Sequence, residues 1–106
     1  MEGNNLIEIA KEAYVLAQQI AGMQETMNKS EQAVSGYPSY ANNFNALLEK
    51  TKKILEVDQT ILMTISHLKR YDPNLDTGYI REFEEIKANL PILKGALHSF
   101  FEFQFS

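Results

Sequence analysis

A carboxylate and two amines are the side chains of this sequence whose spacing most suggests chemistry. Asp58 lies at the centre of an otherwise apolar helical stripe, and Lys87 and Lys94 lie level with it if the next helix folds back. A buried carboxylate without a partner is costly, so Asp58 needs a cationic neighbour or must become neutral. We predict an interhelical contact of Asp58 with Lys94 or Lys87. A catalytic or partner-binding carboxylate, or plain exposure at a splayed edge, is the alternative.

Other catalytic and metal-binding patterns are incomplete in this sequence. His67 and His98 lack the spacing to a second ligand that helical metal sites require. Glu82 and Glu85 could supply half of a dicarboxylate site, but an acidic first helical turn explains them better than a site without a convincing second pair. The chain has no cysteine and no glycine-rich phosphate loop. We therefore predict no cofactor and no metal, and we favour a non-enzymatic function.

Size, charge and the first residues limit the class of protein. The 106 residues suffice for one domain, which we assign to residues 1–106. The net charge of −4 argues against nucleic-acid binding, because phosphate neutralisation needs clustered lysine and arginine. The first residues do not resemble a secretion signal, and no apolar run is long enough for a transmembrane segment. Together with the missing cysteines, these features predict a cytoplasmic protein.

Turn residues divide the chain into three segments, with joints at residues 35–39 and 72–78. Within each segment apolar residues recur at steps of three and four, which is the pattern of helices packed along a seam. We predict helices over about residues 4–28, 39–71 and 76–104. Because short joints make consecutive helices antiparallel, the predicted fold is all-α: an up-down-up three-helix bundle whose second helix is about 50 Å long.

Individual residues predict how these helices begin and bend. Ser39 is a suitable N-cap for the second helix, and Asp76 or Thr77 for the third. Pro91 disturbs the third helix because it has no amide hydrogen to donate to the carbonyl of Lys87. The apolar spacing keeps its phase across Pro91, so we predict one continuous helix with a kink at this position.

Apolar side chains outside the predicted seam mark candidate docking surfaces. Ile7 and Tyr14 lie on a flank of the first helix, where a three-helix bundle gives them little cover. A second set shares the aromatic end of the sequence and comprises Phe100, Phe101, Phe103 and Phe105. These rings either cap the core of the bundle or form a docking patch, since aromatic residues often anchor interfaces. We predict that such surfaces bind a second copy of the chain or another protein.

The preferred interpretation is a non-enzymatic helical protein–protein interaction module that forms a homodimer. The alternative is a small enzyme or ligand-binding protein that uses an interhelical cleft around Asp58 and Lys94. The sequence leaves the identity of any small-molecule ligand open, because no motif in it specifies a reaction or a ligand.

Overall fold

The computed structural model describes residues 2–29, 33–75 and 79–105. Every regular element in these ranges is helical, so the predicted all-α class is confirmed. The α-helices are α1 (Glu2–Lys29), α2 (Ala33–Ile54), α3 (Gln59–Met63) and α4 (Tyr79–Phe105), and a single 3-10 turn (Leu55–Val57) precedes α3. The helices pack into an elongated body with principal extents of 48 × 24 × 18 Å.

The core lies between α1, α2 and α4, which contact one another pairwise. Helix α1 buries Ala13, Leu16, Ala17, Ile20 and Met27, and α4 buries Phe83, Ile86, Leu90, Leu93, Ala96, Leu97 and Phe100. Steps of three and four residues keep each set on one helical face, as the sequence predicts. Full burial of a large apolar side chain contributes about 1.5–3 kcal/mol, so these two stripes supply much of the driving force for folding.

Helix α2 begins earlier than predicted. Pro38 and Ser39 lie inside it, so Ser39 is not the N-cap. Pro38 cannot donate a backbone hydrogen bond to the carbonyl of Val34, yet the helix continues through it. The neighbouring Tyr37 anchors this part of α2, because its ring is buried and its hydroxyl donates to the backbone oxygen of Asp72 at 2.8 Å. The other predicted N-caps, Asp76 and Thr77, lie outside the described residues.

A close approach within α2 requires glycine at position 36. A Cβ atom at Gly36 would lie 2.8 Å from Cε2 of Tyr40, one helical turn further along. The Tyr40 ring packs edge-on against Phe83 of α4 with the ring centroids 5.5 Å apart, so a shift of the ring would disturb this contact. The missing side chain of Gly36 therefore lets α2 and α4 meet through this pair of rings.

The predicted helix over 39–71 is not one continuous rod. Helix α2 ends at Ile54, and the backbone of Asp58 is extended, with φ −140° and ψ 92°. After α3 the chain turns back along α2, so that Tyr71 lies against Asn45 and Phe44. We call residues 58–75 the return segment.

The return segment reverses the predicted direction of the last helix. Tyr37 stacks on Tyr79 with ring centroids 5.8 Å apart, just as Tyr40 meets Phe83 one turn further along both helices. Helices α2 and α4 therefore start at the same end and run in the same direction. The up-down-up arrangement of three rods is not confirmed, because the irregular return segment replaces half of the predicted second rod.

Helix α4 runs unbroken through Pro91, as the phase of its apolar stripe predicts. Pro91 is exposed, so the carbonyl group that loses its hydrogen-bond donor lies on the side of α4 facing water. The kink at this residue stays a prediction.

Candidate interaction surface and polar sites

Asp58 acts as the N-cap of α3. Its Oδ1 accepts a hydrogen bond from the backbone amide of Ile61 at 3.2 Å, and its side chain is half-buried. An Asp in this place satisfies one of the amides that the first turn of a helix leaves without a partner. The carboxylate inside the apolar stripe therefore starts a short helix. The extended backbone of Asp58 separates the 3-10 turn from this helix.

The lysines predicted to pair with Asp58 lie elsewhere. Lys87 approaches Glu84 on its own helix at 3.9 Å and lies over the Phe83 ring, 5.7 Å from its centroid. Lys94 lies in a groove between α1 and α4. Among the described residues no ion pair joins Asp58 to either lysine. The structure does not bring the predicted polar pair together.

Substitutions at Asp58 distinguish a helix-capping role from an ion pair with Lys94. Asp58→Ala should lower the free energy of unfolding by about 1 kcal/mol, whereas Asp58→Asn should stay close to wild type, because asparagine caps helices as well as aspartate. Lys94→Met should change the free energy of unfolding by the same amount in the wild-type chain and in Asp58→Asn. Urea denaturation measures all of these values. A loss with Asp58→Asn that disappears when Lys94 is also replaced would instead reveal an ion pair.

Four buried or half-buried polar side chains gather around Tyr71, where the return segment meets α2 and α4, and they include the Tyr71 hydroxyl itself. Asn45 binds the backbone of Tyr71 twice: its Nδ2 donates to the carbonyl at 2.7 Å, and its Oδ1 accepts from the amide at 2.8 Å. The Tyr71 hydroxyl donates to Oε1 of Glu85 at 2.9 Å and accepts from Nδ2 of Asn89 at 2.9 Å. We call Asn45, Tyr71, Glu85 and Asn89 the tyrosine cluster.

The tyrosine cluster fits a structural role better than proton transfer. Burial, and then the hydrogen bond and charge of Glu85, raise the pKa of Tyr71 above its ordinary value of 10.0. A general acid or base works best with a pKa near the working pH, and this shift moves Tyr71 away from neutrality. The cluster therefore pins the return segment against two helices.

Alkaline pH should destabilise the fold through Tyr71. Because its pKa is raised, the folded chain keeps a proton that the unfolded chain releases above its ordinary pKa of 10.0. The stabilisation is complete below about pH 10 and declines as the pH rises further, with a slope approaching 1.4 kcal/mol per pH unit. Urea midpoints between pH 8 and pH 11 should fall less steeply for Tyr71→Phe than for wild type. Equal slopes would show that Tyr71 does not carry this dependence.

The remaining candidate catalytic residues do not converge. Glu82 lies in the first turn of α4, as the helix-dipole interpretation predicts, and its Oε2 is buried without a hydrogen-bond partner among the described residues. His67 is exposed, and His98 lines the groove between α1 and α4. Within residues 2–29, 33–75 and 79–105, no three His, Cys, Asp or Glu side chains are placed to hold a metal ion.

Two of the predicted docking residues share one groove. Tyr14 of α1 and Phe101 of α4 line a cleft of about 530 Å³ between these helices, together with Ala17, Gln18, Ala21, Lys94, His98 and Glu102. We call this cleft the α1–α4 groove. Sequence reasoning placed Tyr14 and Phe101 on separate surfaces, because the register between two helices cannot be read from either one alone.

The flank of α1 is exposed, as the sequence predicts. Ile7 and Tyr14 have 51% and 59% of their surfaces exposed, and Ala21 is half-buried. These residues recur at steps of seven, so they form one straight stripe along the helix. Val15 is also 51% exposed, but it faces a different groove.

The aromatic end of the sequence divides between core and surface. Phe100 is fully buried, whereas Phe101 is half-buried, with its ring centroid 6.2 Å from that of Phe100. Helix α4 extends to Phe105, but the side chains of Phe103 and Phe105 lie outside the described residues. Core capping therefore accounts for Phe100, and the docking role of the other three rings stays a prediction.

A second groove, which the sequence did not reveal, lies between the middle of α1 and the end of α2. It has a volume of about 780 Å³. Its walls are formed by Ile9, Lys11, Glu12, Val15, Leu16 and Gln19 on one side and by Lys50, Lys53, Ile54, Glu56 and Val57 on the other. We call it the α1–α2 groove. The end of α2 supplies three residues of this second wall, and the 3-10 turn that follows supplies Glu56 and Val57.

No helix within the described ranges combines the length and the apolar character needed to cross a membrane.

Comparison with protein-family models, with curated proteins and with solved structures finds no match to this chain.

Proposed function

We propose that this protein is a non-enzymatic helical interaction module that forms a homodimer through the exposed flank of α1. The observation that carries the proposal is the stripe of Ile7, Tyr14 and Ala21 along one side of a long helix. The stripe borders the α1–α4 groove, so an apolar partner could cover Tyr14 and enter the groove beside Phe101. The predicted cytoplasmic location belongs to the same proposal.

The position of Tyr14 favours an antiparallel pair of α1 helices. Tyr14 lies close to the middle of Glu2–Lys29, so a two-fold axis there lets the two helices overlap along most of their length. Ile7 of one copy then lies opposite Ala21 of the other, which sets a large side chain against a small one. The same surface serves both copies, as a closed dimer requires.

A matched pair of variants tests the surface. Tyr14→Glu should convert the dimer to a monomer, because it places two carboxylates opposite each other in an apolar contact. Ile80→Glu is the control, since Ile80 is an apolar residue at the start of α4 that is exposed to a similar extent, 61% against 59% for Tyr14. Light scattering across a range of protein concentrations measures the mass. A wild-type monomer at millimolar concentration would refute the dimer. Equal masses of the two variants would refute the α1 flank as its interface.

Cysteine cross-linking tests the orientation, because the chain has no cysteine of its own. A mixture of Ile7→Cys and Ala21→Cys chains should form mixed disulfides in the antiparallel pair, where their Cα atoms approach within the span of a disulfide, about 7 Å. Each variant alone should cross-link poorly. Efficient self-cross-linking of each variant alone would indicate parallel helices instead.

A further inference from the structure

The α1–α2 groove combines an apolar floor, formed by Val15, Ile54 and Val57, with several lysine side chains. Val15 and Val57 are about half exposed, at 51% and 50%, and Ile54, which also lines the groove, is buried. Clefts of about 300–1,000 Å³ with mostly apolar linings and a few polar groups are typical small-molecule sites, and this groove of 780 Å³ falls within that range.

The charge of the groove is opposite in sign to that of the whole chain. The sequence has 14 acidic and 10 basic residues, whereas the groove has three lysines, Lys11, Lys50 and Lys53, and two acids, Glu12 and Glu56. None of these lysines forms an ion pair with a carboxylate among the described residues. Lys11 belongs to the α1 wall, and Lys50 and Lys53 belong to the α2 wall, so lysines line both sides of the groove.

We propose that the α1–α2 groove binds a single-chain amphiphilic anion, such as an alkyl carboxylate, as a free molecule. The hydrocarbon chain lies along Val15, Ile54 and Val57, and the anionic head group lies among Lys11, Lys50 and Lys53. The α1 wall from Ile9 to Gln19 is about 15 Å long at 1.5 Å per residue, which suits a medium-length chain. This inference does not depend on the dimer, because Tyr14 does not line the groove.

Calorimetric titration of the full chain with octanoate, decanoate and dodecanoate, each below its micelle concentration, tests the proposal. The dissociation constant should fall about three- to fourfold for each added CH₂ until the chain outgrows the floor, with one molecule bound per protein chain. Decyltrimethylammonium has a comparable alkyl chain but a cationic head group, so it should bind at least tenfold more weakly than decanoate. Equal affinities for the anion and the cation would overturn the proposal.

Matched variants locate the site. Val57→Asp puts a carboxylate on the floor at an exposed position and should abolish decanoate binding, whereas Met63→Asp, at an apolar residue that is 71% exposed outside the groove, should not. The double variant Lys50→Gln, Lys53→Gln should bind decanoate about tenfold more weakly, and Lys29→Gln, Lys69→Gln controls for the change in net charge. Unchanged affinity for decanoate in the groove variants would overturn the proposal. Circular dichroism confirms that each variant is folded.

A membrane surface presents similar chemistry, so the titration needs a second arm. Sedimentation with vesicles of phosphatidylglycerol and phosphatidylcholine measures binding to a lipid surface. The proposal expects saturable binding of decanoate and no greater binding to phosphatidylglycerol vesicles for wild type than for Val57→Asp. Vesicle binding without any binding of free decanoate would overturn it.

Discussion

Replacing Asn45 with alanine is expected to lower the free energy of unfolding by about 2–4 kcal/mol and the melting temperature by about 10–20 °C. The buried amide of Asn45 forms both hydrogen bonds to the Tyr71 backbone, at 2.7 and 2.8 Å. Alanine would leave the N–H and the C=O of Tyr71 buried without partners, and each unsatisfied group costs about 1–3 kcal/mol. No other described side chain bonds to these two backbone groups, so the loss has no local remedy.

The neighbouring asparagine provides the control for this prediction. Asn43 is exposed on the same helix, and Asn43→Ala should change stability by less than about 0.5 kcal/mol. Asn45→Asp should not restore stability, because it keeps the acceptor for the Tyr71 amide but turns an oxygen toward the Tyr71 carbonyl. Guanidinium denaturation measures all three variants. Equal stabilities of Asn45→Ala and Asn43→Ala would show that the return segment is held by other contacts.

Truncation of Phe100 should have the largest effect, a loss of about 3–5 kcal/mol in Phe100→Ala. Phe100 has 0% of its surface exposed, at the end of the α4 stripe, so the change removes a large buried ring and leaves a cavity. Total stability is about 5–15 kcal/mol for a typical domain, so this variant would be close to unfolding. Ile92→Ala, on the same helix but 38% exposed, should lose much less.

The Phe100 measurement also separates packing from docking. The unfolding experiments should use the Tyr14→Glu background, since stability depends on protein concentration where a chain dimerises. Truncation of a core residue should lower the free energy of unfolding as much in the Tyr14→Glu background as in the wild-type chain. If Phe100→Ala leaves stability unchanged in this background but weakens self-association of the otherwise wild-type chain, Phe100 is an interface residue. The buried position assigned to it would then be wrong.

The sequence predicts which residues of this fold are buried better than it predicts the path of the chain. The spacing places Ile61, Ile65 and Leu68 on the seam, and they are buried, with 4%, 0% and 6% of their surfaces exposed. The chain there is not a long helix: Ile65 and Leu68 bond back three residues, to Leu62 and Ile65. Because such turns repeat every three residues, they keep the apolar spacing of a helix while the chain changes direction.

The polar residues of the return segment show which signals were present in the sequence. Asp58 is a strong N-cap residue, so its place in an apolar stripe could have indicated a helix start instead of a buried ion pair. The bond between Asn45 and Tyr71 joins residues 26 positions apart, and no local pattern announces it. The candidate grooves were unpredictable for the same reason, since each depends on the register between two helices.

The contact between Gly36 and the Tyr40 ring links two positions in the evolution of any sequence that keeps this fold. A larger residue at 36 displaces the ring, and a smaller residue at 40 removes the need for glycine. The two positions should therefore covary: glycine at 36 should accompany an aromatic residue at 40, and alanine at 36 should be more frequent where the ring is absent. The residue facing them, Phe83, should follow the same substitutions.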